Sequence, residues 1–259
     1  MPFIPVAIAS ALQSLSNQTN KGVILFNQGN YDEAVQLFQD TVSASKNFLN
    51  SPHEEAESSA SGEIMLSMRV LPSPRNNDLH CNKDTPVYTN AFDVAMTLAG
   101  GVEASCGQQM KQGNAVGGES CLLFSRLSIV LIYNLALAHH AAALSSTDSD
   151  ARKRRTNLSK ARDLYSLAYS IPQQDGKEII DAALLPLFVQ AILNNLGHCY
   201  ASLDDREMSL ACFELLLNSI IVSQQNLSEA CLYDGRSIAC FLDNTLFLIL
   251  RNPRVAPAA

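Results

Sequence analysis

Residues 22–38 read GVILFNQGNYDEAVQLF, and residues 197–213 read GHCYASLDDREMSLACF. In both stretches the first glycine and the last phenylalanine stand 16 positions apart, with a turn signal between them. A third copy runs through residues 135–139 and, after an interruption, residues 161–168. Small residues at fixed positions let two antiparallel helices approach closely, and the aromatic residue fills the gap between successive pairs. The pattern predicts an all-α fold, an α-α superhelix of helical hairpins.

The spacing resembles that of the tetratricopeptide repeat (TPR), which has a small residue at its eighth position, alanine at its twentieth and an aromatic residue at its twenty-fourth. The first copy fits with Gly22, Ala34 and Phe38, and the third departs mildly by having Ser209 in place of alanine. Further stretches are similar to TPR-like proteins that are numerous in diatoms, namely residues 132–140, 161–170, 191–198 and 256–259. That resemblance implies an all-helical, TPR-like fold and brings no known activity with it.

The repeats divide a single predicted domain, residues 1–259, into successive units. One repeat alone buries too little surface to be stable, so the repeats must pack on one another. The predicted units are repeat one (about 16–49), an insertion (about 50–120), repeat two (about 122–172, itself interrupted at 145–156), repeat three (about 185–222) and a capping helix (about 237–250).

The insertion at residues 50–120 differs in texture from the rest of the chain. Its two ends are rich in Ser, Gly and other polar residues and are predicted to be mobile linkers, so the insertion is partly disordered. Between them, apolar residues alternate with others over residues 64–70 and again over residues 88–96. Alternation of period two indicates two strands of a small β-hairpin, which must lie against the helices to be stable. A wholly disordered insertion is the alternative.

Composition narrows the class of partner and the compartment. The formal net charge of −7 argues against nucleic acid, because phosphate binding needs a concentrated basic face. Seven scattered cysteines, an odd number, favour a reducing compartment over a disulfide framework. No uninterrupted apolar stretch is expected to span a bilayer, and no Lys or Arg precedes Lys21 to make a secretory signal. We therefore expect a cytoplasmic protein that does not bind membranes. The basic run at residues 152–155 indicates a nuclear signal or a phosphate contact or, more commonly, a solvated loop.

Asparagine stands two positions before the small residue of every repeat, as Asn20, Asn134 and Asn195. In the TPR family this position faces the concave groove, so the resemblance implies a line of amides there. Such amides offer both donors and acceptors to the backbone of an extended peptide. The alternative is that they tie neighbouring helices together through carbonyl groups. By the same offsets the other groove-facing candidates are Val23, Asn27, Tyr133, Leu137, His140, Asn194 and His198.

The resemblance also argues against one class of partner. Chaperone-binding TPR proteins hold a C-terminal carboxylate with Lys and Asn side chains of one repeat and Lys and Arg side chains of a later one. Here those positions carry Thr19, Val23, Ala191 and Asn195, which supply no positive charge. A chaperone C-terminal tail is therefore not an expected partner.

Neither a metal site nor a catalytic site is predicted. The pairs His139-His140 and His198-Cys199 are adjacent on helices, where neighbouring side chains point about 100° apart and cannot chelate one ion. The chain has no metal-binding CxxC spacing, no phosphate-binding glycine loop and no nucleophile elbow. We therefore expect no cofactor, and we expect core filling from these histidines.

Three hypotheses of function remain open at this stage. The first is a non-catalytic interaction module or scaffold that binds a peptide or partner protein in the groove. The second is an enzyme or enzyme subunit with a site in the insertion. A pocket that brings His80, Cys81 and Asp84 together with His139 or His140 would favour this hypothesis. The third is a structural subunit of a larger assembly, which a groove filled by the chain's own terminal helix would favour.

Overall fold

The computed structural model describes residues 3–50, 61–71, 80–82, 85–99, 116–147, 150–174, 184–226 and 240–245. Long helices dominate these residues: α1 (Val6–Asn27), α2 (Tyr31–Asn50), α3 (Val116–Ser145), α4 (Ala151–Gln174), α5 (Leu185–Ser202) and α6 (Arg206–Asn226). They pack as three hairpins, α1 on α2, α3 on α4 and α5 on α6, and the hairpins stack through α2 on α3 and α4 on α5. The predicted α-α superhelix of TPR-like hairpins is confirmed. A short helix covers residues 240–245, within the predicted capping helix.

Glycine at the eighth repeat position allows each outer hairpin to close. A Cβ atom built on Gly22 would lie 2.8 Å from Cζ of Phe38, and one on Gly197 would lie 2.6 Å from Cε2 of Phe213. Both rings are buried, so neither can move away from an added methyl group. Ser209, the departure from the family pattern, donates a hydrogen bond of 2.9 Å to the carbonyl oxygen of Gly197. The hydroxyl thus links the two helices of repeat three.

The turns of the first and third hairpins share one geometry. Gly29 and Asp204 both have positive φ, 84° and 67°, at the residue where the first helix of each hairpin ends. The N–H groups of Asn30 and Asp205 then donate to carbonyl groups five residues earlier, at 3.0 and 2.9 Å. This is the helix-ending motif that favours glycine in the left-handed conformation. Asp204 adopts the same conformation at a steric cost that glycine avoids.

Strand β1 (Phe3–Pro5) precedes α1, and the insertion contributes the strands β2 (Ser61–Leu71), β3 (His80–Asn82), β4 (Thr85–Pro86) and β5 (Ala91–Ala99). β2 pairs with β5 in an antiparallel register that sets Leu66 opposite Met96 and Val70 opposite Phe92. The predicted β-hairpin is confirmed, and β5 contacts α1 and α3. Two features were not predicted: β1 pairs with β2 to make a three-stranded sheet of order β1-β2-β5, and β3 pairs with β4.

Several predicted boundaries were wrong. α3 begins at Val116, so the helix includes residues assigned to the linker at 100–120. α4 begins at Ala151, so the break in repeat two is shorter than residues 145–156, and the basic run lies in a helix rather than a loop. Pro186 stands in the first turn of α5, as predicted, where its missing N–H needs no partner. Residues 51–60 and 100–115, the remaining predicted linkers, lie outside the described residues.

The centre of the core is one unusually apolar helix. Leu122–Ser145, a 24-residue part of α3 with a hydropathy of 1.6, is long and apolar enough to cross a membrane, contrary to the sequence-based expectation. In the protein, however, 83% of the apolar window is buried. α3 contacts α2 and α4 on its two sides and β5 as well. The length and hydropathy of this segment are therefore those of a buried core helix, which can be as long and as apolar as a membrane-spanning helix.

Candidate functional site

The helix faces that carry Asn134 and Asn195, which the resemblance predicts to line the groove, are covered by the chain itself. Residues 87–92, with the sequence Val-Tyr-Thr-Asn-Ala-Phe, lead into β5 and are buried throughout. We call them the resident segment. Tyr88 is 3% exposed and Phe92 is not exposed at all, although no helix contributes either residue. The groove is therefore self-occupied at this place.

Two asparagines of the predicted line hold the resident segment by its backbone. Oδ1 of Asn134 accepts the N–H of Phe92 at 3.1 Å, and its Nδ2 donates to the carbonyl oxygen of Phe92 at 2.7 Å. Asn195 binds Tyr88 in the same way, at 3.0 and 2.9 Å. Each amide thus pairs with both backbone groups of one residue. The two bound residues are four apart, about 13 Å in an extended chain, so successive repeats contact successive stretches of backbone.

Neighbouring polar groups fix the orientation of the Asn195 amide. Its Nδ2 also donates to Oη of Tyr165 at 3.1 Å, and its Oδ1 also accepts from Nδ2 of Asn194 at 3.1 Å. All four hydrogen-bonding positions of the amide are then used. Asn194 in turn accepts a hydrogen bond of 2.6 Å from Asn244, in the helix at residues 240–245. That helix therefore lies on the groove side of α5.

Aromatic rings enclose the two anchor side chains of the segment. Phe92 meets Tyr133 and Phe188 edge-to-face, with ring centroids 5.0 and 5.1 Å apart. Tyr88 lies against Phe241, with a centroid distance of 5.2 Å. Burial raises the pKa of Tyr133 well above its ordinary value, so its hydroxyl stays protonated and donates to the carbonyl oxygen of Asn90 at 3.4 Å. Backbone and side chains of the segment are both recognised.

The structure brings some of the other predicted residues to the groove and not others. Tyr133, Asn134, Asn194 and Asn195 meet around the resident segment and the helix at residues 240–245. Leu137, His140 and His198, together with Val23, are buried in the core rather than exposed to an open groove. Asn20 and Asn27 lie half-buried on α1, the helix that contacts β5.

The amides of Asn134 and Asn195 are not open to solvent, as amides lining an empty groove would be. Asn134 and Asn195 are 1% and 0% exposed. The cause is the resident segment, which covers both amides and satisfies their donors and acceptors. The alternative that the amides bond to carbonyl groups is correct in part, except that the carbonyls belong to the insertion rather than to a neighbouring helix.

Burial lowers the pKa of both His139 and His140, which favours their neutral forms. Burial, with a smaller effect of His198, lowers the pKa of His140 to about 3, and its Nδ1 lies 3.8 Å from Sγ of Cys199. Burial also lowers the pKa of His139, whose ring contacts Asn157 at 3.1 Å and Gln39 at 3.4 Å. His139 thus connects α2, α3 and α4.

Among the residues that the structure describes, no group of three or more His, Cys, Asp or Glu side chains could hold a metal ion. The side chains of His80, Cys81 and Asp84, proposed for a site in the insertion, lie outside the described part. Cys199, Cys212 and Cys240 are free thiols. Burial raises the pKa of Cys212 to about 11 and that of Cys240 to about 12, so both remain protonated.

The sequence did not reveal that the resident segment binds Asn134 and Asn195. Tyr88 and Phe92 were assigned to one strand, whereas only Phe92 lies in β5. Two aromatic residues four apart beside a predicted strand were the available signal. A spacing of four also places both residues on one face of a regular strand, where residues on one side recur every second position, so the spacing alone does not distinguish a strand from a segment bound at two sites.

Comparisons with known proteins identify the repeats. Tetratricopeptide-repeat models match residues 18–55 and residues 191–219, which contain the turns of the first and third hairpins. Neither the curated proteins nor the solved structures contain a match to the chain. The matched residues, the stacked hairpins and the glycine–phenylalanine contacts agree with one another, and the protein is a TPR-like helical protein.

Proposed function

We propose that the protein is a non-catalytic protein–protein interaction scaffold whose groove holds an extended peptide backbone, with the resident segment as its built-in ligand. TPR repeats generally mediate protein–protein interaction, which supports the class. The observation that carries the proposal is the paired amide contact of Asn134 and Asn195 with Phe92 and Tyr88. These hydrogen bonds are made to backbone N–H and carbonyl groups, which every extended peptide can offer.

The surroundings of the segment define the partner that would fit. The pockets of Tyr88 and Phe92 accept aromatic rings, and Ala91 between them is only 1% exposed, which leaves no room for a larger side chain. The matching partner is an extended segment with two aromatic residues four positions apart and a small residue before the second. Such a partner would replace the resident segment rather than enter an empty groove.

Replacement must overcome the advantage of a tethered ligand. A segment that belongs to the same chain as its binding site can compete at an effective concentration of roughly millimolar. A separate peptide with an intrinsic Kd of about 10 μM would then bind the intact protein about 100-fold more weakly than a protein whose groove is free. A partner with only this segment would therefore bind weakly, and a second contact would be needed for stable association.

One observation favours a second candidate, a structural subunit in which the segment is permanent. The complete burial of Asn195 and Phe92 is typical of a core rather than of an exchangeable ligand. In that case the groove never opens, and partners use only the outer surface of the superhelix.

A labelled peptide of residues 85–93 separates the two candidates. We expect it to bind tightly to the variant Tyr88→Ala/Phe92→Ala, in which the resident segment is weakened and the groove is unchanged. The matched control adds Asn195→Ala to that variant, and binding should fall by at least tenfold. A folded double variant that does not bind the peptide would exclude the exchangeable ligand and leave the structural subunit.

The experiment has a second arm that needs no destabilised variant. Hydrogen exchange of the Tyr88 and Phe92 amides is measured in the wild-type protein with and without excess peptide. An exchangeable segment should lose protection as the peptide is added, whereas a permanent one should keep it.

The cytoplasm remains the proposed compartment, supported by Cys199, Cys212 and Cys240, which are thiols rather than disulfides.

A further inference from the structure

A shallow cavity of about 360 Å³ lies on the exposed surface of α4. It is lined by Arg152, Arg155, Thr156, Ser159 and Lys160, which follow one another at helical spacings of three and four residues. Side chains at such spacings share one face of a helix. Three cations and two hydroxyl groups thus meet within about 12 Å along the helix axis. The volume is in the lower range of small-ligand sites.

The three cations of this cavity form no ion pair with the residues that the structure describes. Two carboxylates form ion pairs with residues of α4, but with residues that do not line the cavity. Asp32 of α2 pairs with Lys153 at 3.0 Å, and Asp163 of α4 pairs with Arg162 at 2.8 Å. Within the described part of the chain, no carboxylate forms an ion pair with Arg152, Arg155 or Lys160. Like charges three residues apart on a helix repel each other. An anion in the cavity would relieve that repulsion.

The two hydroxyl groups of the cavity differ in whether their hydrogen can be donated to a ligand. Oγ of Ser159 accepts a hydrogen bond from Nη2 of Arg162 at 3.3 Å, so its own hydrogen is available for a ligand. Oγ1 of Thr156 donates to the carbonyl oxygen of Arg152 at 2.9 Å, so its hydrogen is already used. The lining therefore offers two guanidinium groups, one ammonium group and one hydroxyl donor. This donor set suits the oxygen atoms of a phosphate group.

We propose that this cavity binds a phosphorylated serine or threonine of a partner protein. A cluster of arginines is the usual means of recognising a phosphorylated side chain, because guanidinium groups pair with two phosphate oxygens at once. A bilayer surface fits less well, because the net charge of −7 repels anionic lipids outside the small patch. The site is independent of the groove and does not rest on the proposed function.

The test is titration calorimetry at fixed ionic strength with a capped five-residue peptide, phosphoserine flanked by two glycines on each side. Arg152→Gln and Arg155→Gln should each weaken binding about tenfold. The matched control is Arg154→Gln, which removes the same charge from the same helix but does not line the cavity, and it should retain the wild-type affinity. Arg152 and Arg155 are exposed and Arg154 is half-buried, and circular dichroism checks that the helix is intact in each variant.

Three outcomes would overturn the proposal. Equal losses in Arg154→Gln and Arg155→Gln would show general electrostatic attraction instead of a site. Equal affinity for inorganic phosphate would remove the protein segment as the source of the phosphate. Binding to phosphatidylserine vesicles without binding to the phosphopeptide would assign the patch to a membrane surface.

Discussion

Replacing Asn195 tests how the insertion is attached to the helices. Asn195→Ala removes the partners of the N–H and carbonyl groups of Tyr88, which lie 3.0 and 2.9 Å from the amide. Each buried backbone group left without a partner costs about 1–3 kcal/mol, so we expect a loss of about 2–6 kcal/mol in the free energy of unfolding. That is a large share of the roughly 5–15 kcal/mol that stabilises a typical domain.

The measurement is urea unfolding followed by far-ultraviolet circular dichroism, with hydrogen exchange of the Tyr88 amide. Tyr165→Phe removes the contact of the Tyr165 hydroxyl with the amide but keeps both contacts of Asn195 with Tyr88, and its expected cost is about 0.5–1.5 kcal/mol. Asn195→Asp keeps the shape but loses the donor and buries a charge, so it should destabilise at least as much as alanine. Asn218→Ala, at an exposed position of α6, is the control and should change stability by less than about 0.5 kcal/mol.

A loss below about 0.5 kcal/mol in Asn195→Ala would refute the reasoning, because a buried and fully bonded amide cannot be removed at so small a cost. Unchanged protection of the Tyr88 amide in that variant would refute it as well. Either result would mean that the resident segment is held mainly by its aromatic side chains.

The remaining predictions concern packing, the turn and pH. Gly22→Ala should destabilise by about 1–3 kcal/mol because the new methyl group meets the buried ring of Phe38, and adding Phe38→Leu should restore part of the loss; equal melting temperatures of wild type and Gly22→Ala would contradict this contact. Asp204→Gly should stabilise by about 1 kcal/mol, since glycine adopts the positive φ of 67° without strain, and a lower denaturation midpoint would show that the aspartate side chain matters more than its backbone. Stability should fall as the pH drops from about 6.5 toward 3, by up to about 1.4 kcal/mol per pH unit, because the unfolded chain binds a proton at His140 that the folded protein, with a pKa of about 3, excludes. His140→Phe should flatten this dependence, and an unchanged slope would assign it to other groups.

Much of the fold was predictable because its determinants are local. The offsets from Gly22 to Phe38 and from Gly197 to Phe213 reflect contacts within single hairpins, so the sequence spacing carries them directly. Alternation over residues 64–70 predicted a strand for the same reason, since the period of side chains follows from the backbone. The start of α3 at Val116 was missed because two glycines precede its apolar stretch, and the packing of that helix outweighs their low propensity.

The amino-acid sequence by itself determined the repeats, their turns and the line of asparagines. Only the tertiary structure decided what those asparagines bind. Asn195 and Tyr88 are 107 positions apart, and Asn134 and Phe92 are 42 apart. A side-chain amide pairs equally well with the backbone of any extended residue, so no feature of the sequence marks Tyr88 as its partner. The choice is made by the docking of β5 on α1 and α3 and by the aromatic pockets, which exist only when distant segments have come together.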